Sequence, residues 1–198
     1  MSTEILNDAE FYKSCEIIEG EKFLAPSANM GHNNIVGKLM LTIGMHVAVN
    51  KLGYVFTDNM DVHLPDGNRL RPDFVFVSAA NGNIVVDKKH ETLHGVPDMV
   101  AEIFSYSTRR KDIGIKKDIY ERNGVKEYWM IDPWRESVDV YLLRDGKYFL
   151  DEVYQNCSAE EFAKLDDDDK AAIKSDVPVA VLDGFTIKIK NIFGWFLE

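Results

Sequence analysis

The sequence predicts one α+β domain, α/β-like in its alternation, with a mixed central β-sheet flanked by helices. Three observations predict it. Asn29 to Asn50 sets Ile35, Val36, Leu39, Met40, Ile43 and Val47 at helical spacing. Apolar runs of strand length recur at Leu70–Ser78, Met99–Ser105 and Lys126–Asp132. Asp145-Gly146, a two-residue turn signal, separates Val138–Leu143 from Lys147–Val153 and makes them a hairpin. The order helix, strands, helix, strand, hairpin requires a sheet with helices packed on its faces.

Along the chain, Phe11–Phe23 reads as a short helix or strand, followed by a turn at Glu19-Gly20-Glu21 and extended chain toward Pro26. Asparagines ahead of the first long helix can cap it, and Gly53 fits its stop. Tyr54–Leu64 is a strand ending in the turn Pro65-Asp66-Gly67-Asn68, and Leu70–Ser78 is the next strand. Ala79–Pro97 is a polar loop in which Ile84, Val85 and Val86 form a short element, and Met99–Ser105 is a third strand. Thr108–Asn123 is the second helix, closed by Gly124, where a left-handed cap is easiest for glycine. After the hairpin, the acidic stretch at about 158–176 reads as a helical, solvated insertion into the single domain 1–198. Val177–Ile189 then closes with a strand pair or edge, and Ile192–Phe196 is an apolar plug.

At 198 residues, with 45% hydrophobic and 28% charged residues, the chain can bury a real core. No apolar run reaches the length of a membrane span and no basic region precedes an apolar core at the start, so a cytoplasmic protein without membrane contact is expected. Cys15 and Cys157 are far apart and outside any C-x-x-C spacing, which leaves reduced thiols and no zinc site. A net charge of −10 argues against a nucleic-acid partner, since a polyanion is repelled by that sum. Its distribution weakens the argument. Ten acids and three lysines between Asp151 and Asp183 give −7 there, whereas Thr108–Lys126 carries seven basic residues against three acids, a local +4.

The chemistry lies in two acids. Asp73 opens the apolar run Phe74-Val75-Phe76-Val77, and Glu102 interrupts Met99-Val100-Ala101-Ile103-Phe104. A carboxylate within a buried strand is costly unless a cation or a donor meets it. If the strands alternate, Asp73, Val75 and Val77 share one face, and Val100, Glu102 and Phe104 share one face. On neighbouring strands the two acids could hold a magnesium ion, or manganese, with the backbone carbonyl of Ile103 as a further oxygen ligand. Lys116, on the following helix, would orient or activate water or stabilise charge on phosphorus. Arg109, Arg110 and Lys117 are candidates for holding a phosphate backbone. Each residue has a plainer reading: Asp73 as a turn or cap residue, Glu102 in a structural ion pair with Arg71 or Arg109, Lys116 and Lys117 as a solvated helix face.

The strings Pro97-Asp98-Met99-Val100-Ala101-Glu102-Ile103-Phe104-Ser105, Ser107-Thr108-Arg109-Arg110-Lys111-Asp112, Lys116, Tyr120, Gly124-Val125-Lys126-Glu127-Tyr128-Trp129 and Ile131-Asp132-Pro133 resemble the Uma-type restriction-endonuclease family of the PD-(D/E)XK nuclease superfamily. Glu19-Gly20-Glu21, Pro26, His32 and Arg71-Pro72-Asp73 are similar as well. The resemblance runs from Phe11 to Tyr154 and resumes weakly at Gly184-Phe185. It implies a restriction-endonuclease-like sheet core and a magnesium-dependent nuclease site with Asp73 as motif aspartate and Glu102 as motif glutamate. Where many members carry lysine, two positions after the glutamate, this chain has Phe104. Lys116 is the replacement that the resemblance suggests, with Asp112 and Tyr120 as supports on the same helix face and Glu21 and His32 bordering the metal. His32 on its own reads as a capping or core-edge histidine.

The expectation is therefore an enzyme, a magnesium-dependent endonuclease hydrolysing DNA phosphodiester bonds, acting as a homodimer. The alternatives are a catalytically impaired nucleic-acid- or protein-binding module and a structural dimer that uses Tyr128-Trp129 and Ile192-Phe193-Gly194-Trp195-Phe196 as its interface. No G-x-x-x-x-G-K-[ST], G-x-G-x-x-G or G-x-S-x-G occurs, which removes nucleotide cradling and acyl transfer. A carboxylate pair would also serve glycoside hydrolysis, but no aromatic sugar platform accompanies this one. Asp166–Asp169 lack the glycine and spacing of a calcium loop.

Overall fold

Pro72 has no N–H to give a strand ladder, and the run expected as one strand from Leu70 to Ser78 breaks there. The computed structural model describes residues 15–24, 29–57, 60–85, 92–104 and 112–194. In it the chain changes sheet at Arg71-Pro72-Asp73: β5 (Arg69–Leu70) belongs to a small sheet and β6 (Phe74–Ser78) to a large one. The expected strand Tyr54–Leu64 divides in the same way. Its first part is β3 (Gly53–Thr57) of the large sheet, and its second is β4 (Val62–His63) of the small one. A continuous apolar stretch thus serves two sheets.

The small sheet has the order β2-β1-β5-β4-β7, with β1 (Cys15–Ile18), β2 (Glu21–Leu24) and β7 (Leu93–His94). The large sheet has the order β11-β10-β9-β8-β6-β3, completed by β8 (Met99–Ile103), β9 (Glu127–Asp132), β10 (Ser137–Arg144) and β11 (Lys147–Gln155). Only β8 and β9 run parallel in it. A parallel pair needs a crossover. Within the described residues that crossover is a π-helical turn, Asp112–Lys116, followed by α3 (Lys117–Asn123). Gly124 ends α3 in the left-handed conformation, φ 89°, as the sequence predicts.

Both faces of the large sheet are covered, so its inner strands are buried throughout. One face carries Phe74, Phe76, Met99, Ala101, Trp129 and Ile131, packed against Ile35, Leu39, Ile43 and Val47. Those four lie on one helical rod: α1 (Met30–Leu39), a π-helical turn at Met40–Gly44, and α2 (Met45–Asn50). The other face carries Val75, Val77, Val100, Tyr128 and Met130, packed against Ile119 and Tyr120 of α3 and Ile18, Val62 and Leu70 of the small sheet. The alternation expected for Asp73, Val75, Val77 and for Val100, Glu102, Phe104 agrees with this division.

Gly53 has a different task from the helix stop expected of it. The left-handed cap falls to Lys51, φ 56°. Gly53 instead opens β3 at φ 153°, where an added Cβ would stand 2.1 Å from the carbonyl oxygen of Val77. The Asp145-Gly146 turn has both residues at positive φ, 52° and 76°, the requirement of a type I′ hairpin.

The acidic stretch folds into α4 (Ala159–Lys164) and α5 (Asp167–Ala172). Ser158 and Glu161 form a reciprocal capping box on α4, and Asp166 accepts the Asp169 N–H at the start of α5. Asp167, Asp168 and Asp169 fill the first turn of α5, where the helix dipole favours negative charge. Beyond it, β12 (Asp176–Pro178) and β13 (Thr186–Lys188) form the closing strand pair, and α6 (Lys190–Phe193) buries Ile192 and Phe193. Trp195 and Phe196 lie outside the described residues. No helix among the described residues is long and apolar enough to cross a membrane.

Glu127 fastens this C-terminal unit to the sheet. It is fully buried on β9, and its carboxylate accepts the Trp129 indole N–H at 2.7 Å and the Val181 N–H at 2.9 Å. Burial outweighs those donors and pushes its pKa from 4.5 up to about 7. Between these values the folded protein holds a proton that the unfolded chain has released. Stability from this group therefore falls as pH rises through that window, by on the order of 3 kcal/mol in all. Glu127→Gln should remove this part of the pH dependence. Urea titrations of both proteins between about pH 4 and pH 9 test it, and parallel curves would refute it.

Candidate active site

The register of β6 on β8 pairs Phe74 with Ala101, so Asp73 at the head of β6 faces Glu102 near the end of β8. The strands fix the meeting: Asp73 Oδ2 accepts the Ile103 N–H at 2.6 Å, which closes the ladder where Pro72 ends it. On its other side Asp73 Oδ1 stands 2.9 Å from His32 Nε2. His32 occupies the first turn of α1, where Asn29 caps its backbone N–H. The strand register thus sets the positions of the two acids opposite each other, and His32 lies against Asp73.

Glu102 is 4% exposed and meets α3 and the turn before it. Lys116 Nζ donates to both of its oxygens, at 3.2 and 3.1 Å, and Tyr120 Oη–H donates to Oε1 at 2.6 Å. One helical turn separates Lys116 from Tyr120, which sets both over the same residue. Tyr120 is fully buried. That burial first, and then the Glu102 charge and hydrogen bond, hold its phenol well above the ordinary pKa, so it stays a donor. Of the arginines weighed as partners for Glu102, Arg71 pairs with Asp61 and Arg109 lies outside the described residues.

Lys116 has a second acid, which the sequence reading missed. Glu16 of β1 lies 2.9 Å from its ammonium, and Glu16 Oε1 also accepts the Arg71 N–H at 2.8 Å. Glu16 and Lys116 are 6% and 5% exposed. The signal that marks Glu102 also marks Glu16, a carboxylate within the apolar string Cys15-Glu16-Ile17-Ile18. Only the short length of that string hides it.

Other expected residues lie elsewhere. Glu21 starts β2 at an exposed position paired with Ile18, and the buried acid of this hairpin that meets Lys116 is Glu16. Lys117 places its ammonium 4.0 Å above the Tyr141 ring, a cation–π contact on the side of α3 facing the hairpin. Arg109, Arg110 and the side chain of Asp112 fall outside the described residues.

Among the described residues no three His, Cys, Asp or Glu side chains gather into a ready-made metal cage. The carboxylates that lie here are Glu16 and Glu102 on Lys116 and Asp73 on the Ile103 N–H. Magnesium takes one or two carboxylates and completes its shell with water and phosphate oxygens, so Asp73 and Glu102 fit it in ligand type.

Residues 8–167 match a family model, Uma2, described as "Putative restriction endonuclease". Among solved structures, the chain is similar to a "putative nuclease belonging to DUF820" from Anabaena variabilis. The identity is 19%, the match covers 91% of this chain and 90% of that one, and the TM-score is 0.71. That likeness shows a shared fold, a mixed sheet flanked by helices. No curated protein matches the sequence.

Removing Lys116 would leave Glu16 and Glu102 buried against each other. Lys116→Met should therefore cost about 3–5 kcal/mol of stability. Adding Glu16→Gln to that variant should restore part of the loss, as coupled neighbours do. Denaturant titration of the two single variants and the double variant tests this, and simple additivity would refute it.

Proposed function

The chain belongs to the Uma-type restriction-endonuclease family, and from that premise we propose that it is a magnesium-dependent endonuclease hydrolysing DNA phosphodiester bonds. One observation carries the reading: Lys116 meets Glu102 of β8, and the strand register sets Asp73, at the head of β6, opposite that glutamate. Asp73 and Glu102, with the Ile103 carbonyl, would hold the ion. When bound, the ion supplies acidity to water and neutralises charge on the phosphate in the transition state.

The chain's own groups do the rest. Lys116 brings an ammonium to within hydrogen-bond reach of Glu102, where it orients the attacking water or stabilises developing negative charge. Glu16 steadies that ammonium from the opposite side, so Lys116 keeps a partner while Glu102 serves another cation. Tyr120 fixes the Glu102 carboxylate by donating to Oε1, and His32 holds Asp73 at Oδ1. Removing such supporting contacts typically costs about 10–100-fold in metal affinity or activity. The basic stretch from Arg109 to Lys126 supports a phosphate-backbone partner despite the net −10. A homodimer would let two such sites act on the two strands.

A second reading, a binding module without useful turnover, draws on the hold that both acids have on the Lys116 ammonium. Magnesium calorimetry and plasmid cleavage separate the two. Wild type should release heat on magnesium addition and nick DNA. Asp73→Ala should lose the heat, and Glu102→Gln should lose cleavage with its fold intact by circular dichroism. Tyr120→Phe should keep its fold and lose about 10–100-fold in activity. Salt-dependent DNA retention without turnover would select the second reading, and absence of any difference in heat between wild type and Asp73→Ala would remove the metal reading.

A further inference from the structure

Between the acidic insertion and the closing strand pair lies a cavity of about 440 Å³. One wall is α4 and α5, and the other is β13 and the start of α6, joined where the Ile189 N–H donates to the Ser175 carbonyl at 2.8 Å. Much of this second wall lies beyond residue 167, where the family match ends. The active-site residues are absent from its lining.

The lining is unlike its surroundings. Lys170, Lys188 and Lys190 line the cavity and no carboxylate does, although the stretch from Asp151 to Asp183 carries −7 overall. Lys188 is engaged with Asp176 at 2.6 Å. Lys170 and Lys190 enter no ion pair among the described residues. The remaining surface is apolar: Ile189 is buried at the floor, Ile173 is half-buried, and Phe162 leaves 41% of its surface exposed.

Cations converging over an apolar floor within about 300–1,000 Å³ suit a small ligand with a charged head and an apolar body. We infer that the cavity binds a small amphipathic anion, its carboxylate or phosphate head on Lys170 and Lys190 and its body over Phe162, Ile173 and Ile189. The stretch from Asp151 to Asp183 carries −7 overall and would repel an extended polyanion running along it, so a strand of nucleic acid is a poor occupant. A small anion need only meet the lysines of the lining.

The full-length protein can be titrated with 8-anilinonaphthalene-1-sulfonate, an anion with an apolar body, followed by fluorescence. The expected result is saturable one-to-one binding, displaced by octanoate or octyl phosphate and not by 1-octanol at equal concentration. Whichever of the two acids displaces at lower concentration identifies the head group. Lys170→Gln with Lys190→Gln should weaken binding about tenfold or more. Met45→Ser, on the exposed face of α2, should leave it unchanged. Non-saturable binding, equal displacement by the alcohol, retention of affinity in the double lysine variant, or loss in Met45→Ser would each overturn the inference.

Discussion

The ammonium of Lys116, held between Glu16 and Glu102 with almost no solvent access, is the interaction on which the arrangement of the molecule turns. The three charged groups come from three separate units: Glu16 from β1 of the small sheet, Glu102 from β8 of the large sheet and Lys116 from the helical crossover between β8 and β9. Burying any one of these charges alone would be prohibitive, so each unit is stable in place only when the other two are present. The same ion pair carries a functional tension. Glu102 cannot give both oxygens to an ammonium and also serve a divalent cation, and Glu16 offers the ammonium somewhere to remain.

Around that cluster the structure separates its demands. Apolar packing on both faces of the large sheet supplies cohesion, which lets the strands carry long hydrophobic runs without exposing them. Part of the acidity lies in two short helices whose first turns accept negative charge.

The central sheet, both major helices, the type I′ hairpin and the burial of Glu102 among apolar neighbours were legible, because each rests on local periodicity or on a carboxylate conspicuous in an apolar run. The split strands were not. Tyr54–Leu64 and Leu70–Ser78 have the composition of single strands, and which sheet takes each half is a tertiary decision; Pro72 was the one local hint. Gly53 was misread for a related reason: a glycine needed for close approach to Val77 resembles a glycine that stops a helix. Glu16 escaped because four residues of strand give too short a pattern. Glu127, a buried acid with its own backbone and indole donors, shows that a carboxylate in an apolar strand can also be purely a fastening.

The Arg71 N–H that Glu16 accepts belongs to the same three-residue link that ends in Asp73. The small sheet is consequently tied to the large one at the cluster itself: the one carboxylate of Glu16 holds the backbone ahead of Asp73 and, through the Lys116 ammonium, the side chain of Glu102.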